Sequence, residues 1–147
     1  MSGVVLLVRH AAARSGSGVA DEDRELTAEG GAAFARLARR LAREVRVTRV
    51  LSSPFARARA TADLLAAATG AAVEEIPELA SGRSTGTEIL HLARSAGAGG
   101  ALVGHNPEMA EAIGLVTGGE EGVPPGTVAA LRPGPGGTFR SMWVRYP

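Results

Sequence analysis

The sequence predicts an α/β fold: three layers, with a mostly parallel central sheet and helices on both faces. Three observations predict it. Short apolar runs of strand character alternate along the chain with longer segments of helical periodicity, the pattern of a parallel sheet with crossover helices. Two helical segments open with a polar residue followed by proline, at Ser53–Pro54 and Asn106–Pro107, which is how helices commonly start after a strand. The chain closes on two more strand-like runs joined through "RPGPGG", a turn that adds an antiparallel edge. With 147 residues the chain suits one domain, spanning 1–147, with a core of useful size.

The elements run in order. Residues 3–8, "GVVLLV", read as a buried strand, and residues 11–25 as a polar loop. Thr27 caps a helix over 28–45, where Phe34, Leu37, Leu41 and Val45 recur at helical spacing. Arg36, Arg39, Arg40 and Arg43 fill its opposite, solvated face. A short strand covers 49–52, and a helix over 54–69 carries Leu64 and Leu65 among small alanines. A strand at 72–76, a helix at 85–96, a strand at 101–103 and a helix at 107–116 continue the alternation. Strands at 127–131 and 138–144 end it.

Composition excludes several function classes. The net charge is +1 and the charges are interspersed, so neither nucleic acid nor a membrane surface is expected as a partner. No apolar run nears the roughly 20 residues that span a bilayer. The apolar start resembles a secretion signal only superficially. No charged segment precedes Val4, and Arg9 and His10 interrupt a run that is too short. A cytoplasmic location is therefore the expectation. The chain has no cysteine, which removes disulfides, thiolate metal sites and cysteine nucleophiles. All 16 basic residues are arginine, which removes Schiff-base chemistry and the P-loop lysine.

The residues just past the core strands carry the chemistry. The first strand ends in Arg9–His10, the second runs into "SSPFARA" with Arg57 in the first helical turn, and the fourth runs into "GHNPEM" with His105. Ser53 and Asn106 read as caps, with Pro54 and Pro107 at the first helical positions. Parallel strands place Arg9, His10, Arg57 and His105 at one edge, and in open α/β sheets ligands bind beyond the carboxyl ends of strands. Helix N-termini favour an anion there. Two guanidiniums and two imidazoles around one volume suit phosphate, which arginine holds through paired N–H donors.

"LLVRHA", "SSPFARARAT" and "LVGHNPEM" resemble, in order, the three signature segments of the histidine phosphatase superfamily, the phosphoglycerate mutase-like proteins. The short length and the lack of a large inserted cap are similar to its small SixA-type phosphohistidine phosphatases. "RELTAEG" and "PEL" sit where that subgroup has similar text. The resemblance implies a phosphoglycerate mutase-like fold with His10 as a nucleophile that forms a phosphohistidine intermediate, later hydrolysed by water. Arg9, Arg57 and His105 would hold the phosphoryl oxygens, and neither cofactor nor metal would be needed. A neutral imidazole is a competent nucleophile near neutral pH, and fixed cations suit phosphoryl transfer.

Two departures matter. The family's common Arg-His-Gly is Arg-His-Ala here, with Ala11 small enough to serve. The general acid is unassigned. Glu78 is a candidate, although "PEL" also reads as a structural turn; Asp21, Glu22 and Asp23 lie in the first long loop, and Glu108 sits beside a helix start. A phosphoramidate nitrogen can take its proton from solvent, whereas an alkoxide needs an acid. An open site without a cap would also admit a protein side chain. The expected substrate is therefore phosphohistidine in a protein. The alternatives are a phosphatase of small phosphate esters or nucleotides and a non-catalytic phosphate-binding module.

Other readings carry less. "GRSTG" at 82–86 has the G-x-S-x-G form of serine hydrolases but comes after a loop rather than a strand. His91 lies in a predicted helix beside Leu90 and Leu92 and reads as structural. His10, His91 and His105 lack metal-ligand spacing.

Overall fold

The computed structural model describes residues 1–119 and 122–147. One sheet has six strands in the order β3-β2-β4-β1-β5-β6. They are β1 Val5–Arg9, β2 Arg49–Ser52, β3 Ala72–Glu75, β4 Gly100–Gly104, β5 Val128–Pro133 and β6 Phe139–Arg145. The helices are α1 Ala28–Glu44, α2 Ala56–Thr69, α3 Gly86–Ala96 and α4 Glu108–Thr117. β1 to β4 run parallel, whereas β5 is antiparallel to β1 and β6 to β5. The expected antiparallel edge is thus a pair of strands. The fold is the mixed α/β sandwich that the alternating pattern predicts.

Side-chain alternation along β1 builds the three layers. Val4, Leu6 and Val8 join Phe34, Leu37 and Leu41 of α1 and Ala58, Ala62 and Leu65 of α2 in one core. Val5 and Leu7 face the other way, toward Ile89 of α3 and Met109 and Ile113 of α4 in a second core. β1 is therefore apolar on both faces, which is why it reads as a continuous run. Arg36, Arg39, Arg40 and Arg43 lie off the buried stripe of α1, which is Phe34, Leu37, Ala38 and Leu41.

Two glycines let the layers close. A Cβ on Gly30 would lie 2.6 Å from the Ala12 carbonyl oxygen and 2.8 Å from Thr27 Oγ1, so the first turn of α1 sits directly on the loop after β1. Thr27 caps that turn by accepting the Gly30 N–H at 2.9 Å. A Cβ on Gly86 would lie 2.7 Å from Glu111 Cβ and 2.8 Å from Ala112 N, so α3 and α4 approach at backbone distance.

Two helix starts differ from expectation. α2 begins at Ala56, not Pro54, and its N-cap is Phe55. Ser53 still belongs to the sheet edge: its N–H donates to the Val103 carbonyl at 2.9 Å. α4 begins at Glu108 with Pro107 as the N-cap, while Asn106 Oδ1 accepts the Ala110 N–H at 3.2 Å from one residue further out. The loop expected over 11–25 carries a bridge between Ala13 and Leu26 and a 3-10 turn at Asp21–Asp23. No helix among the described residues is long and apolar enough to cross a membrane.

Candidate active site

Register assembles the site. Arg9 pairs with Gly104, and Ser52 pairs with Val103, so β1, β4 and β2 end level with one another. Backbone bonds continue just past the strands, from His10 N–H to the Gly104 carbonyl at 3.0 Å and from Ser53 N–H to Val103. The structure thus brings Arg9, His10, Arg57 and His105 together at the carboxyl edge of the sheet. His10, Arg57 and His105 are buried, with 7%, 4% and 3% of their surfaces exposed.

The contacts of His10 define its tautomer. Nδ1 lies 2.7 Å from the Ala11 carbonyl oxygen, which can only accept, so Nδ1 carries the proton. Nε2 is then the lone-pair nitrogen, and it accepts the Arg57 Nε–H at 3.3 Å. Burial, followed by the charges of Arg57 and Arg9, pushes the His10 pKa down to about 4. The ring is therefore neutral at neutral pH, with its lone pair on Nε2.

His105 is held by Ser53. Its Nε2 lies 2.7 Å from Ser53 Oγ, and that oxygen also accepts the Phe55 N–H at 3.1 Å. Ser53 Oγ and His105 Nε2 thus share one proton, which the serine gives or takes according to the tautomer of the ring. Nδ1 is buried and has no partner among the described residues, and the same holds for Arg9 Nε. Buried polar atoms without partners are costly, and both of these lie in residues at the carboxyl ends of β1 and β4. Burial and the neighbouring His10 push the His105 pKa down to about 3. Phe55 packs edge-on to His105 at 5.1 Å and under the Arg57 guanidinium at 5.4 Å.

The arginines are oriented by backbone. Arg9 Nη1 donates to the Val123 carbonyl at 2.9 Å, and Asn106 Nδ2 donates to the same oxygen at 3.0 Å. Arg57 Nη1 donates to the Asp21 carbonyl at 2.6 Å, and Nη2 pairs with the Asp21 carboxylate at 3.2 Å. Thr61 links two parts of the site, donating to the Arg57 carbonyl at 2.8 Å and accepting the Ala11 N–H at 3.0 Å.

The candidate acids separate. Asp21 reaches the cluster through Arg57. Hydrogen bonding to Arg24 and the charge of Arg57 hold its carboxyl below the usual range, so it stays ionised. Glu78 is exposed in the 3-10 turn Pro77–Leu79, where its carbonyl accepts the Ser84 hydroxyl at 2.7 Å. It lines a surface hollow with Ser84, Glu88, His91 and Leu92, and none of the hydrogen bonds that tie the cluster together includes it. Glu22 and Asp23 lie in the same exposed turn as Asp21, which has no buried residue. Glu108 does more than favour a helix dipole: it is buried and accepts the Gly82 N–H at 3.0 Å. With Glu111, which accepts the Gly86 N–H at 3.2 Å, it pins the "GRSTG" segment to α4. That segment is a helix entry with a capping box on Thr85 and Glu88, not a nucleophile turn. Among the described residues no group of three or more His, Cys, Asp or Glu side chains is placed to hold a metal.

Three residues of this site lie within "SSPFARARAT" but take no role in the site from the sequence patterns. Ser53 reads only as a cap, and neither Phe55 nor Thr61 belongs to a charged or capping signal. A cue for Thr61 exists, since it stands one helical turn after Arg57 and so shares its face of α2.

Comparison with known proteins agrees with this architecture. No curated protein sequence matches significantly. A structure from Agrobacterium tumefaciens, described as a putative phosphohistidine phosphatase SixA, superimposes with a TM-score of 0.84 at 28% identity, covering 100% of this chain and 99% of that one. A second, from Nakamurella multipartitia and given the same description, is 30% identical with a TM-score of 0.74, covering 100% of this chain and 97% of that one. A protein histidine phosphatase SixA complexed with tungstate shares the fold at 23% identity and a TM-score of 0.80, covering 98% and 97%. The family model of the histidine phosphatase superfamily, branch 1, matches residues 5–94, a span that holds Arg9, His10 and Arg57. The chain belongs to the histidine phosphatase superfamily.

Proposed function

We propose that this protein is a metal-independent phosphatase that acts through a covalent phosphohistidine on His10, with phosphohistidine in a protein as its substrate. The observation that carries the reading is the state of His10: proton on Nδ1, lone pair on Nε2, and the Arg57 guanidinium at 3.3 Å from that lone pair. In the proposed first step, Nε2 attacks phosphorus as the bond to the leaving group breaks. Arg9, Arg57 and His105 hold the equatorial oxygens, the two guanidiniums taking up their charge. In the second step, water attacks the phosphohistidine, the N–P bond breaks and inorganic phosphate leaves.

The substrate class is argued from the acids. The carboxylate that touches the cluster, Asp21, is held ionised by Arg24 and Arg57, so it has no proton to give. A phosphoramidate leaving group takes its proton from water and an aryl oxide leaves without one, whereas an alkyl ester oxygen needs an acid. The SixA proteins that share the fold carry the matching description.

The test uses a phosphohistidine peptide and an aryl phosphate, each with and without chelator. Both substrates should turn over with chelator present, and His10→Ala should abolish both reactions. Glu78→Gln should leave the phosphohistidine reaction intact; loss of the ester reaction alone would assign Glu78 as the acid for esters. Turnover surviving in His10→Ala, or lost with chelator, would overturn the proposal. Tight phosphate binding without turnover would make the protein a binding module.

A further inference from the structure

Each of the three nitrogens of the Arg57 guanidinium already has a partner within the chain. Nε faces the His10 lone pair at 3.3 Å, Nη1 faces the Asp21 carbonyl at 2.6 Å, and Nη2 faces the Asp21 carboxylate at 3.2 Å. The pair is lopsided: the Arg57 side chain is 5% exposed and that of Asp21 is 56% exposed. The other carboxylate oxygen of Asp21 is braced by Arg24 Nη1 at 3.1 Å, and Arg24 Nε is itself tied to the Arg14 carbonyl at 2.9 Å. The 3-10 turn at Asp21–Asp23 thus reaches over from the loop between β1 and α1 and lays an anion on the buried guanidinium.

This arrangement conflicts with the proposed first step in one specific way. The His10 lone pair that must reach phosphorus is the one that accepts the Arg57 Nε–H. The guanidinium must therefore shift before attack, and Asp21 is what holds it. Asp21 presents its backbone carbonyl and one carboxylate oxygen to the guanidinium, two acceptors where a phosphoryl group would present two of its oxygens. A phosphoryl dianion carries more charge and an additional acceptor oxygen, and it can also satisfy the buried Arg9 Nε, a donor that the Asp21 carboxylate leaves without a partner.

We propose that Asp21 is a displaceable internal anion, a gate that holds Arg57 over the nucleophile until a phosphoryl group takes its place on the guanidinium. The proposal rests on the reading of this cluster as a phosphoryl site. Asp21 then acts as a positioning residue that sets the threshold for substrate entry, and its neighbour Glu22 has no share in that role. Apparent affinity falls by the fraction of molecules in which the gate is closed.

The experiment measures binding of inorganic phosphate by calorimetry to the wild type, Asp21→Asn, Glu22→Gln and Arg57→Ala, with KM for an aryl phosphate measured in parallel. Thermal melts accompany each variant, and Asp21→Ser provides a second replacement. Asp21→Asn and Asp21→Ser should bind phosphate about 3- to 10-fold tighter, the size of one charge-assisted contact removed from competition, with KM falling in step. Glu22→Gln removes the same charge from the same turn and should change binding less than about 2-fold at physiological salt, where exposed charges are screened. Equal tightening in Glu22→Gln would reduce the effect to general electrostatics and overturn the gate. Weaker binding in the Asp21 variants would also overturn it, because Asp21 would then be preparing Arg57 rather than blocking it. If the wild type binds no phosphate, or Arg57→Ala binds it as well as the wild type, the phosphoryl-site reading itself fails.

Discussion

His10 and His105 are buried imidazoles next to arginines, and that placement decides their charge. Their pKa values, pushed down to about 4 and about 3 from the usual 6.5, mean that both rings stay neutral well into the acid range. In the unfolded chain they take up protons near pH 6.5, so the unfolded state binds more protons from that pH down to about 4 for His10 and about 3 for His105. Stability should therefore be complete above pH 6.5 and fall as the pH drops through that window. Denaturant melts at about pH 7 and about pH 4.5 check this, and His105→Asn should show a shallower fall. Ser53→Ala would strip His105 Nε2 of its partner in a buried setting and should cost about 1–3 kcal/mol of unfolding free energy. Arg9, His10, Arg57 and His105 were legible in the sequence because each lies within a few residues of a strand end. The tautomer of His10 was not, because it depends on where the Ala11 carbonyl points. Nor was the role of Ser53, because its partner His105 lies 52 positions away in the chain.

At the scale of elements, the junction of α3 and α4 is where close packing outweighs helix propensity. Alanine is the better helix former by up to about 1 kcal/mol. Gly86→Ala should nonetheless destabilise the protein by about 1–3 kcal/mol, because its Cβ would meet the α4 backbone at 2.8 Å. Thr85→Ala removes one half of a reciprocal capping box and should cost about 1 kcal/mol. Chemical denaturation of both variants measures these costs, and a stabilised Gly86→Ala would contradict the backbone contact. The elements themselves were largely legible from periodicity. The helix starts were less so: the Ser-Pro and Asn-Pro signals mark the right places, but Ser53 remains bonded to β4 and α2 begins only at Ala56. The 3-10 turn at Asp21–Asp23 was also hidden. It is closed by backbone bonds from Asp23 to Ala20 and from Arg24 to Asp21 and tied down by the Arg24 side chain, and no local apolar pattern signals it.

For the whole molecule, the sheet order is what turns three separate motifs into one site. β1 lies beside β4, and β4 lies beside β2, so motifs far apart in the chain end side by side. The sequence pattern predicts parallel strands at one edge, but the order and register come from long-range pairing that no short segment records. In the proposed mechanism His10 Nε2 carries the phosphoryl group during turnover. The most direct measurement is rapid quenching under alkaline conditions during turnover of a phosphohistidine peptide, followed by peptide mass spectrometry of the enzyme. A phosphoryl group is expected on the peptide that contains His10, up to one per chain, and none in His10→Ala. A phosphoryl group on any other residue, or full turnover with His10 replaced, would contradict that mechanism.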